Sequence, residues 1–271
     1  SLKNRGKTVS LGLIRMANIE PMINVAKALL AKAPPQGHRL HFCVYHSQYP
    51  LVLRSNIENV LDRVLDRTLP DAIWDTPSVK DAMRAYPEDH HVFVVLGTSV
   101  TEVGRDHDYD WAIVEPSSMR SLIQLAGRIQ RHRQQVPQHE NLAILTHNIK
   151  GLSGASVAFA KPGFESKNFN LASKDLGEIL LPEQFSELNA IPRILPRVEP
   201  DYRTNLVDLE HVHLQAQLFG GRGIPFNASL WWEHECSWCG ELQRRTPFRR
   251  STPDEEFVLY HEDEIEDFIF S

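Results

Sequence analysis

Four residues near the middle of the chain have the types and the spacing of an anion-binding motif. They follow the pattern Q-x-x-G-R-x-x-R and are Gln124, Gly127, Arg128 and Arg131. A guanidinium is a planar, permanently charged fork that suits a phosphate, and a position without a side chain lets a ligand approach the backbone. The motif therefore indicates contact with a phosphate-bearing ligand.

A helix from Met119 to His132 would place the polar members of this motif on one face. Gln124, Arg128 and Arg131 stand at i, i+4 and i+7. The opposite side, about 200° round the helix, is apolar. Its residues are Leu122, Ala126 and Ile129. An ordinary solvated helix face with arginines would show the same spacing, so spacing alone leaves both interpretations open.

The segments before the motif predict how it is positioned. Two apolar runs, Val92 to Leu96 and Trp111 to Val114, predict strands, and Ser117-Ser118 predicts the N-cap of the next helix. The polar loop between the two runs contains Thr98, Glu102, Gly104, Asp106, Asp108 and Asp110. This layout sets loop residues at the carboxyl edge of a parallel sheet.

The first part of the chain, residues 9 to 150, alternates between apolar runs and helical patterns. The predicted strands are Leu11 to Met16, Leu40 to Tyr45, Val92 to Leu96, Trp111 to Val114 and Leu142 to Leu145. The predicted helices are Pro21 to Lys32, Leu51 to Asp66, Val79 to Tyr86 and Met119 to His132. Continuous apolar strands separated by amphipathic helices predict an α/β fold, a parallel sheet flanked by helices.

The loop and the motif together resemble motifs V and VI of superfamily 2 helicases. The closest likeness is to the helicase–nuclease effector of type I CRISPR systems, whose motif V ends in D-x-D-x-D. This chain matches that pattern at Thr98, Glu102, Gly104 (where the family often has Ser), Asp106, Asp108 and Asp110. The segments LGLIRMAN (residues 11–18) and YHSQY (residues 45–49) resemble second-lobe signatures of the type I-F branch, in which the effector is fused to an adaptation nuclease. The likeness covers residues 8 to 150 and continues more loosely to the end.

The resemblance implies a division of the chain and a role for each part. Residues 1–150 would form the second RecA-like helicase lobe, 151–200 a linker rich in Gly and Pro, and 201–271 a small C-terminal accessory domain. The chain lacks both Walker elements, and we expect it to be a piece of a longer protein that hydrolyses no ATP alone. In that protein it would belong to an ATP-dependent single-stranded-DNA translocase, a helicase–nuclease that unwinds and degrades foreign DNA.

The resemblance also implies roles for single residues. Arg128 and Arg131 would reach the γ-phosphate of ATP with Mg²⁺ across a cleft shared with the absent first lobe, and Gln124 would bond the phosphates or the attacking water. Gly127, Gly104 and Asp106 would line the nucleotide site, where Asp106 contacts the ribose or orients an arginine. Thr98 and Glu102 would belong to the DNA track. The nuclease metals would lie in an absent domain.

Partners implied by the family are single-stranded DNA, the CRISPR surveillance complex, adaptation proteins and a phage-encoded inhibitor. Two other hypotheses remain open: a docking module for the surveillance complex or an inhibitor, and a lobe of another superfamily 2 motor. The triple Asp series and the absence of an H-R-x-G-R-x-x-R motif favour the DNA-directed family over RNA-directed ones.

The composition of the chain restricts which of these hypotheses are possible. The 271 residues carry a net charge of −6, so the chain as a whole is not basic. Any DNA-binding surface must therefore be a local basic groove. No apolar run approaches the ~20 residues that span a bilayer, and three cysteines favour a reducing, cytoplasmic setting over a disulfide framework. We predict no metal site at His107-Asp108, since a metal site needs further ligands from other helices. Cys236 and Cys239 form a CxxC pair, but a structural zinc site needs four ligands, so we favour a packed turn with reduced thiols and leave zinc binding there open.

Overall fold

The computed structural model of the chain describes residues 2–4, 6–69, 71–102, 104–133, 136–221, 227, 259–261 and 268–270. The strands of the main sheet are β1 (Leu2–Asn4), β2 (Lys7–Arg15), β3 (His38–Tyr45), β4 (His90–Gly97), β5 (Trp111–Val114) and β6 (Leu142–Ile144). A separate antiparallel pair consists of β7 (Leu259–His261) and β8 (Phe268–Phe270). The helices are α1 (Ile19–Leu30), α2 (Leu51–Val64), α3 (Pro77–Ala85), α4 (Met119–Ala126), α5 (Ile149–Leu152), α6 (Leu176–Ile179), α7 (Pro182–Phe185), α8 (Ile191–Ile194) and α9 (Leu206–Phe219). None of these helices has the length and apolar character needed to cross a membrane.

The main sheet has the strand order β3-β4-β2-β5-β6, and every neighbouring pair in this order is parallel. Strand β1 is antiparallel to the start of β2. The prediction of an α/β fold with a parallel sheet flanked by helices is confirmed. Strands β2, β3 and β4 begin a few residues earlier than predicted because backbone pairing continues into polar positions such as Thr8 and His38, both paired with His90.

The second half of strand β4 carries apolar side chains on both faces of the sheet, because helices cover both faces. Val94 and Leu96 pack with Met22 of α1 on one face. The alternate position, Val95, lines an apolar pocket together with Leu61 of α2 on the other face. Successive side chains of a strand point to opposite faces, so burial on both sides produces a continuous apolar run.

Helix α4 is shorter than predicted, and the predicted helical face shared by Gln124, Arg128 and Arg131 is wrong. The hydroxyl of Ser118 caps the start of α4 by accepting a hydrogen bond from the Ser121 backbone N–H at 3.1 Å. The helix ends at Ala126, whereas the periodicity predicted a helix to His132.

The early end of α4 has a tertiary cause. The segment after α4 forms a parallel bridge between Ile129 and Tyr109. In this bridge the backbone N–H of Tyr109 donates to the Arg128 carbonyl at 2.9 Å, and that of Gln130 donates to the Tyr109 carbonyl at 2.9 Å. Gln130 has a φ of 51°, outside the range of a right-handed helix. Pairing with a loop twenty residues away in sequence has replaced the helical turn.

The region from residue 151 to residue 200, predicted as a linker, contains the four-residue helices α6, α7 and α8 and several buried side chains. Buried Glu165 organises part of it: one carboxylate oxygen accepts from the backbone N–H groups of Ala158 and Phe159 at 2.7 and 2.9 Å. Contacts divide the chain into a unit of residues 1–214 and a unit of residues 215–271. The boundaries at residues 150 and 200 stay predictions, and Cys236 and Cys239 lie outside the described residues.

Candidate functional site

The loop after β4 begins with a tightly held turn. The carbonyl of Thr98 accepts hydrogen bonds from the backbone N–H and from the hydroxyl of Thr101, at 3.1 and 2.9 Å. A Cβ at Gly97 would lie 2.4 Å from Cγ2 of Thr101, so the turn leaves no room for a larger residue there. The side chain of Thr98 is buried, so the structure places this residue beneath the surface of the carboxyl edge.

Glu102, at the end of this turn, is buried and makes contacts through both its side chain and its backbone. Its Oε1 accepts hydrogen bonds from Nε of Arg15 at 2.6 Å and from the hydroxyl of Ser121 at 2.6 Å. Its carbonyl accepts from Nε and Nη2 of Arg128 at 3.3 and 3.0 Å. The predicted loop residue and the predicted arginine are therefore in direct contact.

Arg128 is half-buried and is held by a backbone carbonyl. Its two hydrogen bonds go to the uncharged Glu102 carbonyl, and within the described residues no carboxylate forms a salt bridge with it. Burial and the nearby Arg131 lower the pKa of Arg128, while the charge of Asp106 acts in the opposite direction. A guanidinium has five N–H donors, so Arg128 retains donors and charge for an anion.

Arg131 is more exposed than Arg128 and is held by two groups. Its Nε pairs with Oδ1 of Asp106, and its Nη1 donates to the carbonyl of Gly127 at 3.2 Å. The hydrogen bond from Arg131 is the largest influence that lowers the pKa of Asp106. Nε2 of His132 lies 3.3 Å from Oδ2 of the same carboxylate. Asp106 thus orients an arginine in this structure.

The remaining predicted site residues, Gln124, Gly127 and Gly104, are exposed. Gln124 lies on the last turn of α4, and Gly127 caps that helix with an ordinary φ of −66°. Gly104 has a φ of 76° and no atom within 4 Å of the position of a Cβ. An open crevice of about 280 Å³ lies beside the loop. Its lining consists of Asp62, Asp66, Thr68, Gly104, Arg105, Asp106 and His132.

Two of the three aspartates of the acidic series hold a different arginine. Asp108 receives hydrogen bonds from Nη2 and Nε of Arg133, at 2.6 and 3.1 Å, and Asp110 receives one from Nη1. In an extended segment, alternate side chains point to the same side, so the spacing of Asp108 and Asp110 was the signal in the sequence that they could share a partner. Arg133 is therefore neutralised by Asp108 and Asp110, in contrast to Arg128.

Sequence reasoning missed Arg15 and Arg105. Arg105 ties the loop to α2 through Glu58 and through Asp62, whose Oδ2 lies 2.8 Å from Nη1. No local pattern marks that contact. The signal for Arg15 was a single charge inside the apolar run LGLIRMA, since a buried charge needs partners.

The part of the chain that the structure describes contains no cluster of metal-ligating side chains. His107, a tempting ligand in the sequence, has its Nε2 2.9 Å from Oδ1 of Asp62, and burial lowers its pKa.

Comparison with known proteins gives one family. Residues 8–134 match the family described as "CRISPR-associated nuclease/helicase Cas3, C-terminal". The chain is 49% identical over 274 residues to the CRISPR-associated nuclease/helicase Cas3 subtype I-F/YPEST of Pectobacterium atrosepticum, and 45% identical over 273 residues to that of Pseudomonas aeruginosa. Each match covers 98% of this chain and 25% of the relative, so the chain spans about a quarter of the length of these relatives.

A solved structure, that of T. fusca Cas3-ATP, is also similar. It is 19% identical, covers 52% of this chain and 15% of that chain, and has a TM-score of 0.39. A likeness of this strength supports no argument about function.

Proposed function

Residues 8–134 belong to the Cas3-like C-terminal family, and on that premise we propose that this chain supplies the second RecA-like motor lobe of an ATP-dependent single-stranded-DNA helicase–nuclease. On this proposal the whole protein unwinds and degrades foreign DNA after recruitment by a CRISPR surveillance complex. It works in the cytoplasm, together with adaptation proteins, and is a target for a phage-encoded inhibitor.

The observation that carries the proposal is the state of Arg128. It stands beside Arg131, forms no salt bridge within the described part of the chain, and donates its two hydrogen bonds to a backbone carbonyl. Arg133, five residues further on, is occupied by two carboxylates. Arg128 therefore retains N–H donors for a phosphate held by another lobe, whereas the donors of Arg133 are directed to carboxylates.

The proposed chemistry is stabilisation of charge during phosphoryl transfer. The first lobe holds ATP and Mg²⁺, and Arg128 and Arg131 reach the γ-phosphate when the two lobes close. In other NTPases such an arginine raises the rate by roughly 10³- to 10⁵-fold. Asp106 holds the Arg131 side chain through an ion pair, and Gly127 lets the nucleotide approach the backbone.

The proposed link to DNA is the loop that begins at Thr98. The loop supplies the carbonyl that anchors Arg128 and the carboxylate that anchors Arg131, through Glu102 and Asp106 respectively. A DNA strand that contacts the backbone of this loop can therefore change the position of both arginines. This coupling would join the DNA track to ATP hydrolysis.

Two experiments test the proposal. The chain alone should hydrolyse no ATP, and clear turnover would show that it contains a complete site. In the whole protein, Arg128→Ala and Arg131→Ala should each lower kcat for ATP by about 10³-fold while single-stranded-DNA affinity stays within about threefold. Arg39→Ala is the control, since Arg39 lies near the start of β3, where its guanidinium stacks on the ring of Tyr86, away from the loop. Loss of DNA binding with normal ATP turnover would refute the assignment of these arginines.

A further inference from the structure

Arg15, the last residue of β2, is fully buried at the carboxyl edge of the sheet. Its guanidinium donates to Oε1 of Glu102 at 2.6 Å and to the carbonyl of Glu115 at 2.8 Å. It also donates to the hydroxyls of Ser117 and Ser121 at 2.9 and 2.6 Å. One side chain thereby joins the end of β2 to the loop after β4 and to the connection between β5 and α4.

A network of this kind is costly to bury and is sensitive to geometry. The desolvation free energy of a buried guanidinium and carboxylate is offset only when their hydrogen-bond donors and acceptors are well matched. Here Ser121 completes the match, because its hydroxyl accepts from Arg15 and donates to Oε1 of Glu102 at 2.6 Å. The carboxylate of Glu102 therefore has a narrow range of positions.

The backbone of Glu102 carries this constraint to the proposed ATP site. Arg15 and Ser121 hold the carboxylate of Glu102, and the carbonyl of the same residue holds Arg128 through two hydrogen bonds. We propose that Arg15 is a positioning residue, which places Arg128 for ATP hydrolysis by fixing Glu102. This inference rests on the proposed function, since it assigns Arg15 to the reaction that Arg128 would serve.

The substitution that tests the idea is Arg15→Lys in the whole protein. Lysine keeps the charge, but its single ammonium cannot reproduce the planar fork that reaches Glu102, Glu115 and both serines. Displacement of Arg128 should lower kcat for DNA-stimulated ATP hydrolysis by about 10- to 100-fold, with KM for ATP within about threefold. Arg197→Lys, which alters the ion pair with Asp208 on α9, is the control and should leave kcat unchanged.

The decisive measurement is a double-mutant cycle with Arg128→Lys, a variant expected to keep residual turnover. If Arg15 acts through Arg128, then Arg15→Lys should lower kcat no further, by less than about twofold, once Arg128 is already Lys. A merely structural role for Arg15 would instead multiply the two losses. Such multiplication, or an unchanged kcat in Arg15→Lys, would overturn the inference.

A second variant keeps the test usable if Arg15→Lys does not fold. Ser121→Ala removes the hydroxyl between Arg15 and Glu102 without removing a buried charge, and it should give the same pattern in the cycle, with a smaller loss of kcat. Additive losses in the Ser121 cycle would again count against the inference. Normal kcat in Arg128→Lys itself would overturn the proposed function. If Arg128→Lys lowers kcat but the losses in the double variants multiply, only the role of Arg15 is overturned.

Discussion

The carbonyl of Glu102 accepts two hydrogen bonds from the guanidinium of Arg128, at 3.3 and 3.0 Å. Glu102 lies in the loop after β4, and Arg128 lies in the segment after α4. Their contact means that the position of the proposed ATP-directed arginine depends on the loop that starts at Thr98.

Asp106→Asn should lower kcat for ATP in the whole protein by about 10-fold, because Arg131 loses the carboxylate that orients it. The free energy of unfolding should change by less than about 0.5 kcal/mol, since exposed ion pairs contribute little to stability. Steady-state ATPase kinetics and denaturant unfolding measure the two quantities. Asp66→Asn, in the same crevice, is the control, and equal losses of kcat in both variants would contradict a specific role for Asp106.

Gly127→Ala should leave the stability of the chain unchanged or raise it by up to about 1 kcal/mol. Gly127 has a φ of −66°, and a Cβ there would approach no atom closer than 3.4 Å. If the bare backbone admits the nucleotide, the same variant should raise KM for ATP in the whole protein. Normal KM and kcat would show that no ligand approaches this position.

Gly12→Ala is the contrasting substitution for the same stability assay. A Cβ at Gly12 would lie 2.0 Å from Cζ2 of Trp111, whose ring nitrogen donates to the hydroxyl of Ser10 at 3.0 Å. The ring would have to move, and we expect a loss of about 1–3 kcal/mol. A loss below 0.5 kcal/mol, on the order of ordinary surface substitutions, would show that the sheet adapts at this point.

Gln130→Val should destabilise the chain by about 1–2 kcal/mol, because a β-branched residue is disfavoured at the observed φ of 51°. Gln130→Gly should stay within about 0.5 kcal/mol of the original, since relief of strain offsets the added freedom of the unfolded chain. Urea unfolding of the three proteins compares them. Equal stability of the Val and Gly variants would show that the bridge between Ile129 and Tyr109 does not require this conformation.

Glu210 should make stability depend on pH. This residue of α9 is buried, and one of its oxygens accepts from the backbone N–H of Met119 at the start of α4. Burial raises the pKa of Glu210 to about 7 from 4.5, although Arg193 opposes the rise. Between these pH values the unfolded chain loses the proton while the folded chain retains it. Stability attributable to Glu210 therefore falls as pH rises from 4.5 to 7, by about 3 kcal/mol at most.

Glu210→Gln isolates this contribution, because Gln keeps an acceptor for Met119 and does not ionise. The stability of the variant relative to the original should increase by up to about 3 kcal/mol between pH 4.5 and pH 8, measured by urea unfolding. Glu140→Gln, at an exposed position, should show no such trend. A constant difference across this range would mean that the folded chain ionises Glu210 at its usual pKa.

Much of the fold follows from local patterns. The apolar runs that became β4 and β5 are recognisable because strands buried on both faces leave no polar positions in the run. The bounds of α2 are predicted nearly as well, since its periodic pattern is long. The end of α4 is not predictable in this way, because Ile129 pairs with Tyr109 and local periodicity contains no information about that partner.

The amino-acid sequence by itself determined which residues follow the strands and which motif comes after them. Because the strands are parallel, the loops after their carboxyl ends lie at one edge of the sheet. Only the tertiary structure decided what each charge does. Arg128, Arg131 and Arg133 are the same residue type within six positions, yet one contacts a carbonyl, one an exposed carboxylate and one a buried pair. Electrostatic interactions depend on the distance between charges in space. The sheet brings together loops that are far apart in the sequence, and this fixes those distances.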